Sequence, residues 1–238
     1  MTKVTSFGFL FFECNGHPSH DLNCWNTSQV VNMHLVFAEG NFSGFVSKWD
    51  TGKVTSLNGA FGRSTVFRGE ELLHWNTGNV QDMFGAFSNM LQIGILATEN
   101  WNVSKVYTFD SAFRNTDFRG DLGNWDASSA VLTRFVFAGC GNFNGDIGRW
   151  NMSRVEWTDC MLAGCHSFNQ ARPFMLRKIC RKATNSTAGS RSVASACVAW
   201  KITFARLMHL FFLVRLQDMS GWDVSKLQIA NAMFANAR

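Results

Sequence analysis

The stretch WNTGNV at residues 75–80 returns as WNVSKV at 101–106, and this return decides the fold. Outward from it the same block begins at Trp25 (WNTSQV), Trp49 (WDTGKV), Trp125 (WDASSA), Trp150 (WNMSRV) and Trp222 (WDVSKL). The first six of these tryptophans stand 24, 26, 26, 24 and 25 residues apart. Twelve residues after each Trp, with no gap needed, come Phe37, Phe61, Phe87, Phe113, Phe137, Leu162 and Phe234. Counted from the Trp of each copy, these hold position +12.

A period near 25 lies in the range of leucine-rich-repeat coils. A unit that short cannot bury its own apolar face, so copies must stack. Val at +5 and the apolar residue at +8 (Met33, Leu57, Met83, Phe109) read as one short strand. Parallel stacking sets equivalent residues about 4.8 Å apart, which turns Trp and Phe into interior ladders. Ser or Gly at +3 suits a turn into the strand. The spacing predicts a repeat solenoid: a leucine-rich-repeat-like, right-handed stack of ~25-residue coils with one short parallel strand per coil. It covers residues 1–170 in about seven coils, the first incomplete. Position +1 reads Asn26, Asp50, Asn76, Asn102, Asp126, Asn151, Asp223. No two Asp are adjacent, as stacking requires of like charges set opposite one another.

The segments FNGDIGRWNMSRV (143–155) and DMSGWDVSKL (218–227) resemble the BspA-type repeat family. That family carries the domain of unknown function numbered 285, found in bacterial surface proteins and in many protist proteins. The resemblance covers nearly all of residues 1–170 and 218–238. It implies a leucine-rich-repeat-like solenoid at a cell surface or outside the cell, associated with adhesion or protein binding, without catalytic residues. Residues 1–12 lack a small-residue cleavage site and show no clear signal peptide.

Both ends cut through a coil. Met1 to Val4 align with Met152 to Val155, and Arg238 falls four residues after Phe234. No polar capping repeat is visible, so the chain reads as part of a longer array with end-to-end self-association as a consequence. From Trp150 to Trp222 is 72 residues, and the excess maps to 171–217, after which 218–238 resumes an incomplete final coil.

The insert explains the charge. The whole chain is +5, with 46% hydrophobic and 16% charged residues and two prolines. That composition excludes collagen, coiled coil and charge-driven disorder. Residues 171–217 hold nine basic residues (Arg172, Arg177, Lys178, Arg181, Lys182, Arg191, Lys201, Arg206, Arg215) and no acid. Elsewhere 13 basic residues (22 less 9) face 17 acidic ones, a net of −4. The insert reads first as a translated intron, since Gln170-Ala171-Arg172 and Leu216-Gln217 are encodable as splice junctions. The alternatives are an unstructured basic loop on an anionic surface and a membrane span that Lys201, Arg206 and His209 make expensive. Membrane contact is expected only if the insert is expressed, and no nucleic-acid partner is expected.

Candidate chemistry is sparse. Asp50-Thr51-Gly52 matches the aspartic-protease tripeptide, but Asn26-Thr27-Ser28 and Asn76-Thr77-Gly78 are its equivalents, so the repeat accounts for it. Gly139, Gly141 and Gly145 miss the dinucleotide-binding spacing. Cys160, Cys165 and His166 invite a metal site or a nucleophile. Cys140 and Cys165 both hold +15, where stacking brings them within reach of a disulfide in an oxidising compartment, and where a small core residue serves equally. Seven cysteines without a CxxC pair give no zinc ribbon. Sequons fall at Asn26, Asn41, Asn102, Asn151 and Asn185, three of them the repeat's own turn. Asp121, Asp146 and Asp218 share one position, suited to solvation or a cation. No cofactor is implied. The expectation is a non-catalytic binding module for a protein or glycan, set against a metal-binding or cysteine-dependent enzyme centred on Cys160, Cys165 and His166.

Overall fold

The computed structural model describes residues 3–15, 20–67, 69–94, 96, 98 and 100–168. The insert 171–217 and the copy containing Trp222 and Phe234 lie outside the described residues, as do the expectations that rest on them. Among the described residues no helix is long and apolar enough to cross a membrane.

Position +7 runs through the molecule as one column. Ser6, Asn32, Ser56, Asp82, Thr108, Leu132 and Trp157 are joined in that order by single parallel bridges. A second parallel bridge joins Asp21 to Phe45. These bridges stay isolated, and a single turn of 3-10 helix, Glu70–Leu72, is the one helical element among the described residues.

The reason lies in the backbone that follows. Every second N–H from +8 to +14 donates to the next copy: Leu57 to Asp82 (2.9 Å), Gly59 to Phe84 (2.7 Å), Phe61 to Ala86 (2.8 Å) and Arg63 to Ser88 (2.8 Å). The N–H groups between them close back three residues, Ala60 to Leu57, Gly62 to Gly59 and Ser64 to Phe61. Such a run of tight turns needs left-handed residues. Position +10 has φ between 51° and 60° (Phe9, Leu35, Gly59, Gly85, Ser111, Phe135, Cys160). Position +14 has φ between 52° and 78° (Glu13, Glu39, Arg63, Asn89, Asn115, Gly139, Gly164). A residue with a Cβ there costs about 1–2 kcal/mol. Hydrogen bonds to the adjacent copy, each about 1 kcal/mol net, offset that strain.

Inside, Phe11, Phe37, Phe61, Phe87, Phe113 and Phe137 stack with centroids 5.4 to 5.7 Å apart. Trp25–Trp49, Trp49–Trp75, Trp101–Trp125 and Trp125–Trp150 stack at 6.1 to 6.3 Å, their planes within 14° of parallel. From Trp49 to Trp150 each ladder indole also has a polar tether. Trp49 Nε1 donates to Leu22 O, Trp75 to Val46 O, Trp101 to Leu72 O, Trp125 to Thr98 O and Trp150 to Leu122 O, at 2.9 to 3.4 Å. Every one of those carbonyls lies three residues before the preceding Trp and also accepts that Trp's own backbone N–H. A buried indole N–H is thereby satisfied without admitting water.

A second aromatic column completes the core. Phe42, Phe67, Phe118 and Phe143 each stack on the +12 ring of their own copy at 4.0 to 4.7 Å. The motif is Phe-x-Gly, and the glycine is required. A Cβ at Gly44, Gly120 or Gly145 would come within 2.8 Å of the Phe ring two residues before it.

Candidate functional site

The +1 side chains are committed to the turn. The Oδ1 atoms of Asn26, Asp50, Asn76, Asn102, Asp126 and Asn151 each accept the N–H of the Ser or Gly at +3, at 3.0 to 3.2 Å. Asp50-Thr51-Gly52 is one of this series. Thr51 is buried and its hydroxyl donates to Asn76 O, as Thr27 does to Asp50 O and Thr77 to Asn102 O.

The cysteines divide by depth. Cys140 and Cys165 are buried free thiols, with Cys140 Sγ donating to Phe113 O at 2.8 Å and Cys165 Sγ to Phe137 O at 3.0 Å. Thr116, one copy earlier on the same column, places its hydroxyl 3.3 Å from Cys140 Sγ. Burial pushes both thiols above the ordinary range, and Cys140 raises Cys165 further. Cys160, half-buried, is raised by burial and then by Asp159. His166 is exposed while Cys165 is held inside the core. The three residues of the metal or nucleophile expectation therefore do not converge, and among the described residues no three His, Cys, Asp or Glu side chains form a metal-binding group.

Asp121 is exposed and Asp146 half-buried, and both also serve turns. Asp121 Oδ1 accepts Gly123 N and Asp146 N, and Asp146 Oδ1 accepts Gly148 N. Glu71 does comparable work between copies, its Oε2 accepting the N–H groups of Val46 and Ser47 at 3.0 Å. It borders a hollow of about 250 Å³ lined by Ser43, Phe45, Val66 and Glu70 among others. Of the sequon asparagines, Asn41 accepts a hydrogen bond from the Thr65 hydroxyl of the next copy.

Positions +6, +7 and +9 supply much of the remaining surface, although Thr108 and Asp110 among them are buried. At +7 an oxygen-bearing side chain accepts the N–H at +9: Ser6 to Gly8, Asn32 to His34, Ser56 to Asn58, Asp82 to Phe84 and Thr108 to Asp110. Leu132 has no such oxygen. There Arg134 N donates to Asp110 Oδ1 of the preceding copy at 2.6 Å, while its guanidinium reaches Asp110 Oδ2 at 2.6 and 2.7 Å. Asp110 is only 2% exposed. Arg134 also lies over the Trp157 ring at 5.8 Å, and Arg114 over Phe135 at 5.2 Å. Val31, Phe84 and Tyr107 stand exposed on the same positions. Neither Asp110 nor Arg134 was singled out from sequence; the readable signal was the loss of the +7 oxygen at Leu132.

Residues 5–95, 84–200 and 199–238 match the family model described as Mycoplasma protein of unknown function, DUF285. The chain belongs to this family. No curated protein and no solved structure matches it. The first DUF285 match spans the copies begun by Trp25, Trp49 and Trp75, and the second those begun by Trp101, Trp125 and Trp150. The third match, 199–238, holds the single copy begun by Trp222. Across these DUF285 copies the buried +12 position runs Phe37, Phe61, Phe87, Phe113, Phe137, Leu162. Position +9 runs His34, Asn58, Phe84, Asp110, Arg134, Asp159.

Proposed function

We propose that the chain winds as a right-handed, leucine-rich-repeat-like solenoid and works as a non-catalytic binding module. It is displayed at a cell surface, for adhesion through protein or glycan contacts. The observation that carries this reading is the split between constant inward and varied outward positions. Trp opens each copy from Trp25 to Trp150 and +12 is Phe in all of them but the last, where it is Leu162, whereas +6 and +9 change charge and size from copy to copy. Stacked repeats use such outward faces as extended binding surfaces, because a solvent-exposed residue there can change without disturbing the core; buried Asp110 is the exception at +9. Surface display rests on the likeness to BspA-type proteins.

Probing an array of extracellular proteins and glycans with the chain tests this. Saturable binding is expected to at least one ligand, weakened by Phe84→Ala or Tyr107→Ala with the thermal midpoint unchanged. No saturable ligand would overturn the reading. Stoichiometric zinc or iron, lost on Cys165→Ser, would put a metal-binding or cysteine-dependent enzyme in its place.

A further inference from the structure

We infer that position +4 forms the docking edge for a linear acidic glycan whose charges recur at the interval of alternate copies; this rests on the binding-module reading above and names its ligand class. Read along the stack, +4 is Lys3, Gln29, Lys53, Asn79, Lys105, Ser129, Arg154. Lys3 takes its place through Ser6, which stands at +7 and bridges to Asn32. Basic and neutral residues alternate without exception across these seven copies, and no acid enters the column. With adjacent copies about 4.8 Å apart, the positive charges repeat roughly every 10 Å. That exceeds the Debye length of about 8 Å at physiological salt, so the column carries four like charges with little mutual repulsion.

The geometry holds these charges in place. Lys53 Nζ donates to Gln29 Oε1 at 2.7 Å, and Lys105 Nζ donates to Asn79 Oδ1 at 2.6 Å. Two lysines two copies apart thus make the same contact, each ammonium resting on the neutral residue one copy back. Asn79 Nδ2 is held by Gly52 O at 2.7 Å, which turns its oxygen to Lys105. Each ammonium keeps two of its three donor hydrogens for a ligand. Lys3, Lys53, Lys105 and Arg154 are all exposed. The ion pairs Arg63–Glu39 and Arg134–Asp110 belong to other columns.

The neighbouring residues suit a saccharide chain. From the copy begun by Trp25 to that begun by Trp150, position +3 carries only Ser or Gly (Ser28, Gly52, Gly78, Ser104, Ser128, Ser153), so the residue just before each +4 side chain is small. At +1, Asn26, Asn76, Asn102 and Asn151 spend their oxygen on the turn, which leaves amide hydrogens for sugar oxygens. The acids of that edge, Asp50 and Asp126, are held by Gly52 N and Ser128 N. A nucleic-acid duplex fits poorly, because it carries one negative charge per about 1.7 Å. One positive charge per roughly 10 Å cannot match that density, and the chain outside 171–217 is net −4. Lys226, outside the described residues, holds +4 in the copy that resumes after 171–217 and follows basic Arg154, so the alternation is a property of the seven copies from Lys3 to Arg154.

Titration of the full chain with hyaluronan fragments, which bear one carboxylate per two sugars, tests the inference, with dextran and a DNA duplex alongside. Saturable hyaluronan binding is expected, with none to dextran. Lys53→Gln/Lys105→Gln should weaken it roughly tenfold, two exposed charge contacts being worth about 1–2 kcal/mol together. Arg63→Gln should leave it unchanged. Equal thermal midpoints show that the variants fold. No hyaluronan binding, or binding that the double variant leaves intact, overturns the inference, the second result assigning it to another basic segment. DNA bound more tightly than hyaluronan and lost in the double variant also overturns it, in favour of a nucleic-acid surface. A blank hyaluronan arm beside saturable binding on the protein and glycan array removes the inference and leaves the binding-module reading standing.

Discussion

From Ser6 to Thr108 each copy supplies its own oxygen for the N–H at +9, whereas the copy begun by Trp125 takes that oxygen from Asp110 on its neighbour. In the first arrangement the acceptor sits two residues away and asks nothing of the stack. In the second, a carboxylate must be buried, and only the Arg134 guanidinium makes that tolerable. The ion pairs repeat the contrast. Arg63–Glu39 joins adjacent copies with side chains 64% and 38% exposed, while Asp110 in the other pair is 3% exposed at its side chain. The same backbone requirement is met locally at little cost, or across copies with a dependence on two side chains at once.

The largest effect should come from the part both regions share. Phe113→Ala removes a fully buried ring stacked on Phe87, Phe118 and Phe137. A loss of about 3–5 kcal/mol is expected from chemical denaturation. Next, Asp110→Ala leaves the Arg134 N–H without its acceptor and should cost about 2–3 kcal/mol. Adding Leu132→Thr restores an oxygen at +7, and a double-mutant cycle should recover about 1 kcal/mol of that loss. Without recovery, the account of Asp110 as a borrowed acceptor fails. Thr51→Val should cost about 1 kcal/mol or less, since Val103, Ala127 and Met152 fill the same buried position in later copies.

The thiols should give a shallower signal. Cys140 and Cys165 are raised by burial, so the folded chain keeps their protons where the unfolded chain sheds them. Stability is therefore whole below the ordinary thiol pKa of about 8.5 and declines as pH rises past it. Replacing both with Ala should flatten that decline, and native alkylation should reach exposed Cys24 while sparing them. Arg63→Ala, at the exposed pair, should shift stability by only a few tenths of a kcal/mol.

The Trp and +12 ladders were legible in the sequence because an inward position meets the same neighbours in every copy and so keeps its residue. The turns were not. Phe9, Leu35, Ser111 and Phe135 adopt a left-handed backbone that their types disfavour, and only hydrogen bonds between copies hold them there. Reading Val at +5 and the apolar +8 as a strand pointed to the bridge column, but not to the alternating turns that keep each bridge isolated. The Phe-x-Gly column passed unnoticed, although Phe42-x-Gly44, Phe118-x-Gly120 and Phe143-x-Gly145 recur at the repeat period. Its meaning lies in a ring folded over its own glycine, which spacing alone does not express. Of the outward surface, only its variability could be read, and the Asp110–Arg134 pair breaks a pattern that emerges only once +7 is seen to serve +9.

The carbonyl three residues before each repeat Trp from Trp25 to Trp125 receives that residue's own N–H and the indole of the copy that follows. Because each copy offers one such carbonyl and one such indole, a whole copy spliced in or cut out finds both partners waiting. The Trp-to-Trp distance already varies between 24 and 26 residues without breaking the link. Gene duplication can lengthen this chain in steps of one copy, and each new copy arrives with an interior already fitted and an exterior free to drift.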